Sequence, residues 1–282
     1  MEYFSKNVKK KIKLAKKCDN LIQDIEELDD FKKYFHIRVN SDNYVIVNTL
    51  RGTKTGESGY YMNGLTCNQT NLKERVNSLI SRMRDMDDDR IDELVLQEYP
   101  QRRYSKNYYE YEYQAKFIRA LCGDEKYRKL YDAVRKQLGI NNDDLQFVAS
   151  EFTLYSNEDN QNEKIKQLNS KYGRSKNRRV DVVGVCDDTL FYFELKRSDE
   201  SYNNVFDQIN DYRDYYSIRR EEVRALLKEY PLFPAAFRKE RFVLVAGLGE
   251  TVDIEKVNCL YQDKNNMSQA GPIMDIRDII AF

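Results

Sequence analysis

Residues 179–196 constrain the fold more than any other stretch. Arg179-Val-Asp-Val-Val-Gly-Val-Cys-Asp-Asp-Thr-Leu-Phe-Tyr-Phe-Glu-Leu-Lys196 reads as two apolar strands joined by a short polar turn. The first strand carries one carboxylate, Asp181, and the second carries Glu194 and, two residues on, Lys196. Side chains two apart on a strand share a face. Glu194 and Lys196 therefore point one way, and Phe191, Phe193 and Leu195 point the other way into a core. If the strands pair as a hairpin, Asp181 joins the first face. Two carboxylates and a lysine converging on a sheet can hold a divalent metal and a water, the requirements of metal-assisted phosphodiester hydrolysis.

Composition removes several other chemistries. The chain has a single histidine, His36, so a multi-histidine zinc site within one chain is excluded. Ser-His-Asp or Cys-His catalysis would have to rest on that residue. It sits in Tyr-Phe-His-Ile-Arg-Val and reads as a structural residue at the start of a strand. The five cysteines, at 18, 67, 122, 186 and 259, form no CxxC pair. That argues against a disulfide framework or zinc site and fits a reducing cytoplasm. No apolar run approaches the roughly 18 residues of a membrane span. The Lys-rich N-terminus lacks the apolar core of an export signal.

Lysine plus arginine and aspartate plus glutamate number 47 each, so the chain lacks the global basic balance of a protein that coats nucleic acid. Positive charge is clustered locally instead. Residues 6–17 hold seven lysines, and residues 171–179 hold Lys171, Arg174, Lys176, Arg178 and Arg179, a cluster directly before the Asp181 strand that is expected to contact nucleic-acid phosphate near the cut site. Arg102 and Arg103 lie in a segment that interleaves bases with tyrosines, a pattern suited to phosphate contact and base stacking.

The periodicity predicts helix over 1–34, strand over 35–50, then a polar glycine-containing loop that lacks the GxxxxGK[ST] pattern of a phosphate-binding loop. One or two helices follow over 69–97. Pro100 and the polar run to Asn107 mark a boundary between an accessory domain, 1–100, and a second domain, 108–282. In the second domain the expectation is helices over 109–122 and 124–138, a strand over 147–155, and a long polar insertion over 157–177. Strands over 179–186 and 190–196, a helix from 205 towards 227, and a strand over 242–246 complete it. This order implies an α/β (α+β) core with a mixed sheet flanked by helices.

The flanking helices add candidates. On the 109–122 helix, Tyr111, Gln114, Phe117, Ile118 and Leu121 share a broad face. Glu110 borders that face and Glu112 lies roughly opposite it. An acid on a core-facing stripe is costly without a partner, which makes Glu110 the candidate. On the next helix Val205, Ile209, Tyr212 and Tyr216 form an apolar stripe, flanked by Gln208.

Together these residues resemble the PD-(D/E)XK nuclease superfamily, the restriction-endonuclease-like group that includes Holliday-junction resolvases and antiphage nucleases. The motif is Asp181, then Glu194-Leu-Lys196, then Gln208 and Tyr212 on the following helix. Glu110 and Gln114 match the early helical Glu-x-x-x-Gln of one subgroup, and Glu151 matches a strand-borne acid before the Asp strand. Val180 stands where the motif has proline, and the 157–177 insertion is a second departure. The resemblance covers roughly 108–246.

It implies a restriction-endonuclease-like fold and a Mg²⁺- (or Mn²⁺-) dependent endonuclease. Asp181, Glu194, the Leu195 carbonyl and Glu110 would be ligands, with Lys196 and Gln208 catalytic. It also implies DNA as substrate, a homo-oligomer, and a restriction or antiphage context. Alternatives are an RNA-cleaving nuclease and a catalytically silent nuclease fold that binds nucleic acid or assembles.

Overall fold

A computed structural model of the chain describes residues 4–23, 25–26, 28–39, 44–48, 60–66, 72–84, 86–87, 90, 108–142, 144–155, 157–173, 178–196, 202–246 and 273–275. Among them, eight helices and eight strands are numbered here in chain order.

The chain opens with α1 (Lys6–Gln23) and α2 (Leu28–Tyr34). The single strand expected over 35–50 is instead two, β1 (Phe35–Val39) and β2 (Tyr44–Asn48), paired antiparallel. Between them stands Asn40-Ser-Asp-Asn43, residue types that favour turns. β3 (Tyr60–Thr66) pairs with β2, and α3 (Leu72–Met83) follows. Phe31, Phe35, Ile37, Ile46, Ile80 and Met83 build a small core for this part. The boundary expected near 100–107 lies outside the described residues.

The second part begins with α4 (Tyr108–Leu121) and α5 (Arg128–Leu138). Gly139 ends α5 at φ 72°, the left-handed conformation that closes many helices. Next come β4 (Gln146–Phe152), α6 (Glu163–Tyr172), β5 (Val180–Cys186) and β6 (Thr189–Leu195). The region expected as an unpatterned insertion thus contains a helix. Asn162 caps it by accepting from the amides of Lys164 and Ile165, and Gly173 ends it. α7 (Tyr202–Ile218), α8 (Arg220–Leu227), β7 (Lys239–Ala246) and β8 (Ile273–Asp275) complete the order.

Strands β4 to β8 form one mixed sheet in sequence order. The first three pair antiparallel, and β7 and β8 then add in parallel. β6 is central, which explains why Leu190 to Leu195 reads as a continuous apolar run: all six residues are buried. Helices cover both faces. Phe117, Ile118 and Leu121 of α4 and Leu130, Val134 and Leu138 of α5 pack on Val182, Phe191, Phe193, Leu195 and Val243. Across the sheet, Ile209, Tyr212 and Tyr216 of α7 and Val223 and Leu227 of α8 meet Val183, Leu190, Tyr192 and Leu244.

The N-terminal elements join this second face. Val8, Ile12 and Ala15 of α1 and Val39 of β1 lie in the same cluster. Gly184 lets the β4 backbone and the Phe193 ring of β6 pack closely on β5. A Cβ there would sit 3.1 Å from the Gln146 carbonyl oxygen and 3.2 Å from the Phe193 ring.

Candidate active site

The β5–β6 register pairs Val182 with Phe193 and continues to set Asp181 beside Glu194. On the other side, β4 pairs Ser150 with Val182, so Glu151 stands beside Asp181. Three adjacent strands therefore present an acid at the same level of the sheet, where cross-strand neighbours lie about 5 Å apart.

Each acid is held differently. Asp181, half-buried, accepts the Leu195 amide at 2.8 Å through Oδ2, so its carboxylate caps the end of β6 where a ladder carbonyl would otherwise serve. Glu194 is only 3% exposed. Its Oε1 accepts from Lys196 Nζ at 2.7 Å and from Gln208 Nε2 at 2.5 Å. Gln208 also reaches the Tyr212 hydroxyl at 2.7 Å, and that hydroxyl donates to the Arg179 carbonyl at 2.8 Å. The α7 stripe thus ends in a polar arm that fixes Glu194. Lys196 is half-buried at the edge of the arrangement.

Glu151 has φ 50°, a left-handed conformation that costs a residue with a Cβ of order 1–3 kcal/mol. Its carboxylate is buried. Oε2 pairs with Arg179 Nε at 2.7 Å, and Oε1 accepts from Gln114 Nε2 at 3.2 Å. The same Gln114 nitrogen donates to the Asp181 carbonyl at 2.7 Å, which ties α4 to β4 and β5 at once. The neighbouring Ser150 hydroxyl is bound by His36 Nε2 at 2.6 Å and Arg38 at 3.3 Å, from β1. Burial first, and the Arg38 charge second, hold the His36 imidazole well below its ordinary pKa. A neutral structural histidine is the result.

No protein-family model, curated protein or solved structure matches the chain.

The other sequence candidates fall in different places. Glu110 lies on α4 one turn before Gln114, and its side chain, like that of Glu112, lies outside the described residues. So do Arg102, Arg103, Arg174 and Lys176. Lys171 is exposed and pairs with Asp214 at 3.0 Å, and Tyr172 donates to the same carboxylate at 2.7 Å. Arg178 was expected at a nucleic-acid surface but is 1% exposed. It donates to both oxygens of Asp211 at 2.9 and 3.0 Å and to Asn169 at 2.8 Å. It links β5 to α6 and α7 rather than facing outward.

Asp211 and the Glu151–Arg179 pair were not legible as partners.

Among the described residues no group of three His, Cys, Asp or Glu side chains is gathered so as to hold a metal ion. The donor set nonetheless suits Mg²⁺, a hard cation that commonly takes one or two carboxylates and completes its shell with water and substrate phosphate. Asp181 and Glu194 supply two carboxylates on paired strands.

Proposed function

We propose that the chain is a Mg²⁺- (or Mn²⁺-) dependent endonuclease that hydrolyses phosphodiester bonds in DNA. One observation carries this reading: the hairpin register sets Asp181 beside Glu194, with the Lys196 amine 2.7 Å from the glutamate. Asp181, Glu194 and the Leu195 carbonyl would hold the cation, with Glu110 entering from α4. Bound there, a divalent cation would polarise the scissile phosphate and lower the pKa of water.

The remaining roles belong to the chain itself. Gln208, anchored by Tyr212, fixes Glu194. Lys196 stands at the edge of the site, where its charge offsets the negative charge that builds on phosphate oxygens in the transition state. Arg179, half-exposed beside Glu151, supplies positive charge at the rim of the site. A restriction or antiphage role and a homo-oligomeric state are what the family resemblance adds. Among the described residues no helix is long and apolar enough to cross a membrane.

A second reading, a catalytically silent fold that binds nucleic acid or assembles, draws on the internal cation that each buried acid already has: Lys196 for Glu194, Arg179 for Glu151.

Incubation with circular DNA, linear DNA and RNA, in Mg²⁺ or EDTA, separates the readings. Nicking or linearisation of circular DNA in Mg²⁺, absent in EDTA and in Asp181→Ala, is expected. Cleavage of RNA alone moves the substrate. No cleavage with Mg²⁺ or Mn²⁺ leaves the binding module.

A further inference from the structure

Glu151 is a buried carboxylate whose cation partner is not buried. Its side chain is 4% exposed, and that of Arg179 is 44% exposed. A buried carboxylate without a positive partner costs several kcal/mol, so Glu151 requires one. The half-exposed guanidinium gains little from the pair, because it is nearly as well solvated in water. The two halves of this ion pair thus differ in what parting costs them in solvation. The acid must stay, and the arginine can leave provided that another cation takes its place.

The backbone around the pair suits such an exchange. The Tyr212 hydroxyl donates to the Arg179 carbonyl at 2.8 Å, and the Tyr216 hydroxyl donates to the Arg178 carbonyl at 2.7 Å. Arg178 itself is locked to Asp211. The main chain at 178–179 is therefore pinned while the Arg179 side chain reaches into solvent. Gln114 holds the opposite carboxylate oxygen of Glu151, so the acid keeps one neutral partner when Arg179 departs. The cation site in question is one residue across the sheet, at Asp181.

We infer that Arg179 is an exchangeable latch: a divalent cation entering at Asp181 and Glu194, on the reading of those residues as a cation site, displaces Arg179 from Glu151. Glu151 then becomes a third carboxylate facing the cation. The released guanidinium stands at the rim of the site, free to take an anionic phosphate oxygen of the substrate. Metal and phosphodiester would then bind cooperatively, because each favours the open latch, and such coupling is reciprocal.

The test is Mn²⁺ affinity of the full chain, measured by calorimetry without nucleic acid, in a double-mutant cycle. Removing the competing guanidinium in Arg179→Gln should tighten Mn²⁺ binding at least tenfold. The same substitution in a Glu151→Gln background should change it less than threefold, because the effect runs through Glu151. Circular dichroism confirms that each variant is folded. Tightening of equal size in both backgrounds would mean that Arg179 acts only as a nearby charge, and would overturn the latch. So would unchanged or weaker binding in Arg179→Gln. If the wild type binds no Mn²⁺ but Arg179→Gln does, and Asp181→Ala abolishes it, the latch stands. If neither binds, the latch and the cation-site reading both fall. Mn²⁺ binding that follows the cycle without any cleavage leaves the latch standing and removes only the nuclease.

Discussion

Two clusters of buried charge sit on the sheet's flanks, and they are built on opposite plans. Around Arg219, every main partner is sequestered. Arg219 pairs with Asp159 and Glu222, Tyr215 donates to Asp159 at 2.7 Å, and the Ser5 amide donates to Glu222 at 2.7 Å. The Arg178–Asp211 pair is closed in the same way, at 1% and 0% exposure. Around Glu151 and Glu194 only the acids are buried, and the cations stand partly in water. Closed clusters fix helices to one another. Open clusters keep a negative charge inside and leave its partner exchangeable. Burial of the acid alone is not by itself a site, since the Arg220–Glu240 pair has the same asymmetry at 43% and 3% exposure; what sets Glu151 and Glu194 apart is that they flank Asp181 on adjacent strands.

The sharpest way to break this comparison is to strike both kinds. Asp181→Ala and Glu194→Ala should each reduce DNA cleavage by about a thousandfold or more, roughly 4 kcal/mol of transition-state stabilisation. Their melting temperatures should stay within a few degrees of the wild type, because Lys196 can turn to solvent once Glu194 is gone, and water can reach the Leu195 amide at half-buried Asp181. Asp211→Ala should do the reverse. It strands a buried guanidinium and should cost about 3–5 kcal/mol of stability, read from urea unfolding. Equal unfolding in both sets would dissolve the distinction.

Lys196→Ala should lower turnover about a hundredfold with metal and substrate binding largely retained. Lys196→Arg should not restore it, given the different geometry of the two cations. Parallel loss of binding and turnover would make Lys196 a simple phosphate anchor.

Lys11 gives the closed cluster a pH signature. It is buried beside Arg219, and desolvation followed by that charge lowers its amine to about 8. An unfolded lysine titrates near 10.4. Between these values the unfolded chain binds more protons, so stability should rise with pH across that window. The melting-temperature difference between wild type and Lys11→Met should shrink from pH 8 to 10.5. A constant difference would show that Lys11 sits charged at no cost.

The smallest effects concern α4. Glu110→Gln should impair cleavage, and Glu112→Gln should stay within about 0.5 kcal/mol of wild type in stability and near it in rate, as exposed substitutions do. The opposite pattern would place the helix half a turn from its assigned phase.

How much of this was legible varies with the strength of the local pattern. The 179–196 hairpin could be read because alternation, a two-residue polar turn and a lone acid all agree. Helices α4 and α5 were equally clear, the second with Gly139 as its stop. The β1–β2 pair was read as one strand because the residues between its strands, Asn40 to Asn43, include no glycine or proline. Helix α6 was read as loop because only Ile165 of its ten residues is buried, too little apolar stripe for a periodicity. At the site, Asp181, Glu194, Lys196 and Gln208 share local signals. The partnership of Glu151 with Arg179 depends on a strand pairing 28 residues apart and on a positive φ that Ala-Ser-Glu-Phe does not announce. The bases of 171–179 read as one patch, although Arg178 is buried against Asp211 and Arg179 is half-exposed, a split that two adjacent arginines just ahead of β5 do not announce.

The bond from the Ser5 amide to Glu222 spans 217 residues. Helix α1 is made before α8, and its partners there emerge only after β4, β5 and β6 of the sheet have been translated. At ordinary rates of synthesis, about 5–20 residues per second, that is a wait of roughly 10–40 s. During it the seven lysines of residues 6–17 keep the nascent segment strongly cationic. Helix α1 therefore waits for a partner made about 200 residues later before it can seal this face. A ribosome carrying the polypeptide up to Lys196 would already hold Asp181, Glu194 and Lys196, but not α8, on which α1 docks.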